Sequence, residues 1–99
     1  MLEINKSIEN GKALFTLAGR LDTRSAPMLE KELKELPAEL EELTLDFEGL
    51  EYITSAGLRL LLAARERLYG RGEVKLLHVN ELIMEVLEMT GFADVLTIG

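Results

Sequence analysis

Ser55 is the residue of this chain whose surroundings most suggest chemistry. It stands in Tyr52-Ile53-Thr54-Ser55-Ala56-Gly57-Leu58, where a β-like run gives way to an apolar helical stripe. A serine between strand and helix is the setting of a hydrolase nucleophile, but that elbow needs glycine two residues before and two after. Ile53 occupies the first of those positions and only Gly57 the second. The single histidine, His78, falls inside the apolar run Val74–Val79 and is expected to be a packed or edge residue. Ser55 therefore lacks the adjacent base that would activate it. Asp46, Glu48 and Glu51 lack the twelve-residue calcium-loop spacing, so a solvated acidic loop is expected there. With no Cys, thiolate zinc sites are excluded, and neither GxGxxG nor GxxxxGK occurs. The expectation is a non-enzymatic protein with no metal and no cofactor.

What remains is one hydroxyl at a predicted helix start, and two readings share that geometry. In the first, Ser55 is the cap itself, contributing about 1 kcal/mol through its side-chain oxygen. In the second, the helix N-terminus tolerates a phosphate on Ser55, because unpaired N–H groups and a partial positive charge lie there. A phosphoserine would add roughly −1.5 to −2 charge, and a protein docked over it would have to desolvate that charge. Gly57 is expected to help by leaving the backbone uncovered near the hydroxyl.

Eleven Lys and Arg against eighteen Asp and Glu leave a net charge of −7 over 99 residues. That balance excludes a phosphate-binding surface of the nucleic-acid type. The longest apolar run, Leu60-Leu61-Leu62-Ala63-Ala64, is far below the roughly 20 residues needed to span a bilayer. A hydrophobic share of 47% suits one packed domain, 1–99. Acidic residues gather from Glu30 to Glu42 and again at Glu48 and Glu51, so a phosphate on Ser55 is expected to act by repulsion.

Periodicity supplies the elements that must position Ser55. Leu2, Ile4 and Ile8 alternate, Asn10-Gly11 is a hairpin signal, and Ala13, Phe15 and Leu17 alternate on the return up to Gly19. A helix capped by Ser25, with Pro27 in its first turn, carries Leu29, Leu33 and Leu36 and stops at Pro37. A short strand, Leu43 to Phe47, is bounded by Gly49. A second helix, to about Tyr69, shows Leu58, Leu61, Leu62 and Leu68, widened by Leu60, Ala63 and Ala64 as if packed on several sides. Val74, Leu76, Leu77 and Val79 suggest a central strand covered on both faces. Asn80 caps a third helix with Leu82, Ile83, Val86 and Leu87 inside, and Gly91 ends it. The order is β-β-α-β-α-β-α with a possible final β: an α/β fold whose mixed four- or five-stranded sheet has helices packed against it.

The segment from Leu43 through Thr54-Ser55-Ala56-Gly57-Leu58 resembles the signature of the STAS domain, and more narrowly that of bacterial anti-sigma factor antagonists. Gly19-Arg20-Leu21-Asp22-Thr23 with Ser25-Ala26 is similar to the family's G-x-L-D segment. Val74-Lys75-Leu76-Leu77 and Val86-Leu87-Glu88-Met89-Thr90-Gly91-Phe92 match its late strand and last helix. The resemblance covers the whole chain and implies a single STAS domain. It implies binding to an anti-sigma factor that is itself a serine kinase, release of a sigma factor, phosphorylation at Ser55, and resetting by a PP2C-type phosphatase. Asp22 and Thr23, with Thr54, Ser55, Ala56, Gly57 and Leu58, are the implied partner surface. Many members carry Asp directly before the serine; here it is Thr54, which makes Thr54 the second choice of phosphoacceptor. A constitutive STAS scaffold subunit of a signalling assembly or lipid transporter, with no phosphorylation cycle, is the alternative. The expected setting is cytoplasmic, as a monomer or weak dimer, without nucleic acid or direct membrane insertion.

Overall fold

A computed structural model describes all 99 residues. Strands β1 (Leu2–Glu9) and β2 (Lys12–Leu21) form the expected hairpin, with Asn10 at φ 50° and Gly11 at φ 79°, the pair of positive φ values a tight two-residue turn needs. Then follow α1 (Ala26–Lys34), β3 (Glu42–Ile53), α2 (Ser55–Leu68), β4 (Glu73–Leu77), α3 (Glu81–Thr90), a short 3-10 turn (Phe92–Asp94) and β5 (Thr97–Ile98). The five strands lie in chain order, β1-β2 antiparallel and the rest parallel. Three successive crossovers in one direction, each of the usual right hand, put all three helices on the same face.

Burial follows from that one-sided arrangement. Ala13, Phe15 and Leu17 of β2, Leu43, Leu45 and Phe47 of β3, and Val74 and Leu76 of β4 point under the helices and are buried. They meet Leu29 and Leu33 of α1, Leu58, Leu61 and Leu68 of α2, and Ile83 and Leu87 of α3 in one continuous core. The intervening residues Leu14, Thr16, Thr44, Asp46, Lys75 and Leu77 face the open side and stay at least partly exposed. The sheet thus has one covered face, and β4 is not covered on both sides as its apolar run suggested.

Several other expectations are corrected. Strand β3 does not end at Gly49. It slips register against β2 between Thr16 and Ala18 and again between Gly19 and Arg20, and so carries Leu50 and Ile53 back into the core. Gly49 permits the close approach, since a Cβ there would lie 2.9 Å from that of Ala18. Ile8 is exposed at the hairpin end, while Lys6, on the helix-side face of the edge strand, stays exposed and pairs with Glu32 of α1. An inward charge of this kind also discourages edge-to-edge association. On α2, Leu62 and Ala63 face solvent, and on α3 Leu82 is exposed and Val86 half-buried, so both core stripes are narrower than expected. Asn80 does cap α3, accepting from the Ile83 N–H at 2.8 Å, and Gly91 closes it at φ 82°.

Carbonyls at the end of α1 and in the turn after it are satisfied from the last turn of α2 and the residues that follow. Arg67 donates to the carbonyls of Leu33 and Leu36, and Arg71 to that of Ala38. Arg67 thus locks the two helices that flank the core at the expense of no buried charge, since its stem runs along the groove and its head remains near water. Arg67→Ala is expected to lower the unfolding free energy by about 1–2 kcal/mol, read as a lower urea midpoint at unchanged slope. Arg67→Lys should recover only part of that, because an ammonium lacks the planar fork that reaches two carbonyls at once.

Candidate functional site

The parallel pairing of β2 with β3 ends at Leu21 opposite Ile53, and one further bond, from the Thr54 N–H to the Leu21 carbonyl at 3.0 Å, carries it past the strand ends. The next residues on the two strands, Asp22 and Thr54, therefore leave the sheet side by side. This is the carboxyl end of the parallel strands, where open α/β sheets place their working loops.

Thr54 is the N-cap of α2, extended at φ −110° and ψ 179°, and the Leu58 N–H bonds to its carbonyl at 3.0 Å. Its side chain does not cap the helix. Thr54 Oγ1 is instead buried with no hydrogen-bond partner. Ser55 is the first helical residue, exposed, and its hydroxyl bonds to no protein group. Ser55 is thus not the cap, and neither residue's oxygen occupies the N–H groups of the first turn, which have no acceptor within the helix. Of the two adjacent hydroxyls, one is open to a reagent and the other is sealed.

Gly57 serves packing and not exposure. It is buried, and a Cβ on it would come within 2.7 Å of both Ile53 Cγ1 and Leu21 Cγ, the residues that end the two strands. Leu58 is likewise in the core. Of the expected partner surface, Thr23 and Ser55 are exposed and Asp22, Thr54 and Ala56 half-buried, while Gly57 and Leu58 lie beneath and offer no side chain to a partner. Sequence reasoning passed over Arg59. It stands four residues after Ser55 on α2 and is exposed, so it shares the serine's face of the helix. The i, i+4 spacing was the available signal. The surface beside Ser55 is therefore not uniformly acidic.

Asp22 holds the neighbouring loop. Its Oδ1 accepts the N–H groups of Arg24 and Ser25, both at 3.0 Å. Ser25 does not cap α1 with its side chain as expected. Its buried hydroxyl turns back, donating to the Arg20 carbonyl at 2.7 Å and accepting the Asp22 N–H at 2.9 Å. The Ser25 N–H is the main cause that holds the Asp22 carboxyl below its ordinary range, and the Arg24 N–H adds to it.

The acidic residues of β3 separate. Glu51 approaches Arg20 at 3.9 Å, whereas Asp46 meets His78 at 2.8 Å between Oδ1 and Nδ1. His78 is not inside a strand. It follows β4 at φ 55°, a backbone turn that lays its ring toward Asp46. The imidazole draws the Asp46 pKa down and the carboxylate raises that of His78. This pair sits about seven residues along β3 from Ser55's end of the strand, so it supplies no base to that serine.

Comparison with known proteins gives a consistent picture. The family model described as Mlab, STAS domain, matches residues 4–97. The chain is 32% identical over 92 residues to BtrV of Bordetella bronchiseptica, named as an anti-sigma factor antagonist, spanning 91% of this chain and 79% of that one. It is 26% identical over 84 residues to the anti-sigma-B factor antagonist of Bacillus subtilis, with coverage of 84% and 77%. Among solved structures, an anti-sigma factor antagonist from Mycobacterium paratuberculosis superposes with a TM-score of 0.89 at 20% identity, over 99% of this chain and 85% of the other. The Bacillus cell fate determinant SpoIIAA in its phosphorylated form gives 0.75 at 17% identity, over 98% and 91%. The structural matches establish a shared fold.

The geometry makes opposite predictions for two neighbours. Thr54→Val, which removes a buried hydroxyl that has no partner, is expected to be neutral or to stabilise by up to about 1 kcal/mol. Gly57→Ala is expected to cost about 1–3 kcal/mol by pushing on Leu21 and Ile53, and urea unfolding measures both. Asp22 predicts a pH effect with a definite sign. Its lowered carboxyl stabilises the fold above its unfolded pKa, near 3.8, and that contribution is lost as pH falls through the folded value. The stability difference between wild type and Asp22→Asn should be present at neutral pH and vanish on acidification below the carboxylate range.

Proposed function

The chain belongs to the STAS domain family of anti-sigma factor antagonists, and we propose from that membership that it is a partner switch set by phosphorylation of Ser55. In the unphosphorylated form it binds an anti-sigma factor, itself a serine kinase, and so releases a sigma factor. Transfer of a phosphate to Ser55 breaks that complex, and a PP2C-type phosphatase restores it.

One observation carries this reading: the exposed, unbonded Ser55 hydroxyl at the first residue of α2, next to a Thr54 oxygen that is buried. Of the two adjacent hydroxyls at the start of α2, a kinase meets only that of Ser55. The phosphorylated form known for SpoIIAA, which shares the fold, supports it as well. After transfer, the dianion would lie over first-turn N–H groups with no intrahelical acceptor and on the face of Arg59, so the free protein would tolerate it. The charge would pass from −7 to about −9, but the switch does not need general repulsion. A partner seated on Thr23, Ser55 and the Asp22 loop would have to strip water from a phosphate, and several kcal/mol of desolvation suffices to undo micromolar binding. No base of this chain stands by Ser55, so the serine is the phosphate acceptor of a kinase that supplies the base, and not a catalytic nucleophile.

With the cognate kinase and Mg-ATP, wild type and Thr54→Val should each take up one phosphate, and Ser55→Ala none, as read by mass spectrometry. Ser55→Asp should weaken the partner complex by at least about tenfold, 1.4 kcal/mol, in a binding titration. Equal affinity for wild type and Ser55→Asp, together with no phosphate uptake, would overturn the switch and leave a constitutive scaffold subunit.

A further inference from the structure

We propose that Asp46, Glu48 and His78 form a surface site for a divalent transition-metal ion of the Zn2+ type, on the side of β3 that β4 leaves unpaired. One ligand atom from each of the three lies within 4.8 Å of the others. A Zn2+ ion at about 2.0–2.2 Å from each donor requires donors roughly 3–4 Å apart, so this triangle closes on a metal with small side-chain movements. The 2.8 Å contact between Asp46 Oδ1 and His78 Nδ1 needs only to open slightly, the Nδ1 proton passing to solvent from the imidazolium, or exchanging through solvent to Nε2 in the neutral ring, as the metal takes its place.

The backbone supplies the convergence. Asp46 is the last β3 residue paired with β4, opposite Leu77, so His78 is the first residue to leave that ladder. The Glu48 N–H bonds to Asp46 Oδ1 at 3.0 Å, which fixes the carboxylate on the same side as the ring. Two residues later Asn80 Nδ2 donates to the Leu50 carbonyl at 3.0 Å, so both ends of the connection carrying His78 are tied to β3. Three donors from two chain segments are thus brought together by the fold and not by sequence adjacency, which explains why no spacing rule found them.

The donor set selects the ion. One imidazole nitrogen with two carboxylates suits Zn2+ and its first-row neighbours, whereas Ca2+ and Mg2+ take oxygen shells. The His78 side chain is 59% exposed, so the site has an entry path and room for water in the remaining coordination positions. Two carboxylates and a neutral imidazole carry a charge that one divalent ion balances. The nearby Lys75 is engaged elsewhere, with Glu42 at 3.4 Å and Glu73 at 3.6 Å. A bound ion would staple β3 to the β4–α3 connection, ahead of the α3 cap. The site is independent of Ser55 and stands or falls separately from the switch.

The test is a calorimetric titration of chelator-treated, tag-free full-length chain with ZnCl2 in a non-coordinating buffer near neutral pH. About one ion per chain should bind with a Kd on the order of 10 µM, and thermal unfolding should shift upward with excess Zn2+. His78→Gln and Glu48→Gln should each weaken binding by about tenfold or more while circular dichroism stays unchanged. Glu48→Gln is the discriminating variant, because it leaves the Asp46–His78 contact intact. His78 is the only histidine, so its ring resonances report the ion directly. Absence of binding at about ten times that concentration, or an isotherm unaffected by Glu48→Gln, would overturn the site and leave a hydrogen-bonded pair.

Discussion

The register of β2 against β3 is the constraint on which everything at the carboxyl end of the sheet depends. It holds Leu21 opposite Ile53 and adds the bond from the Thr54 N–H to the Leu21 carbonyl. That bond fixes where α2 begins, and with it which of two adjacent hydroxyls faces water. Gly57 shows how little tolerance remains, for one methyl group there would meet both strand ends at 2.7 Å. A packed interior does not absorb such an intrusion without shifting its neighbours. The position of Ser55 is therefore set by core packing, although the serine itself touches none of the core.

The first turn of α2 is also where the chain departs from local stability rules. An N-cap threonine whose oxygen neither caps nor finds a partner costs roughly 1–3 kcal/mol relative to a satisfied group. The first-turn N–H groups are left to solvent. Elsewhere the same protein follows the rules closely: Asn80 caps α3, Gly91 ends it, and Arg67 closes the end of α1. The N-terminus of α1 lacks a side-chain cap as well, but there the Ser25 oxygen is satisfied by the Arg20 carbonyl and the Asp22 N–H. Only at α2 is the oxygen of the N-cap residue left buried without a partner, and departures of that kind are expected at functional corners.

Features decided within a few residues were legible in the sequence. The Asn10-Gly11 hairpin, the Asn80 cap and the Gly91 terminus each need only local geometry and stand where the sequence places them, whereas α1 ends at Lys34, three residues before the Pro37 expected to stop it. Ser55 at the start of a helix was legible for the same reason. Features decided between segments were not. The two register slips that lengthen β3 past Gly49 arise from pairing with β2. The exposure of Leu62 and Leu82 depends on which helix faces are covered, and a one-sided sheet covers fewer than the apolar count suggests. Ser25 looked like a cap, but its oxygen is claimed by Arg20 and Asp22 from the preceding turn. His78 looked like a strand residue because its positive φ leaves no trace in hydrophobic periodicity.

The one-sided sheet also separates two kinds of chemistry. Right-handed crossovers that all proceed in one direction must stack the helices on a single face, so the strand ends and the bare face become distinct surfaces. At the strand ends, a charge added to Ser55 meets helix N–H groups and Arg59, and its energetic weight falls on whatever docks there. On the bare face, Asp46 and His78 already hold opposite tendencies, one pKa drawn down and the other up by the same contact. A net charge of −7 does not describe either place. The acidic residues from Glu30 to Glu42 belong to α1, the turn after it and the start of β3; Lys6 and Lys34 answer part of that charge, Lys75 meets Glu42, and Glu51 approaches Arg20. With part of that charge paired and the rest screened beyond about 10 Å, the field at Ser55 is set mainly by the helix end and by residues within one turn of it. A phosphate placed on Ser55, as proposed above, would then bear on the docking surface without disturbing the core that positions it.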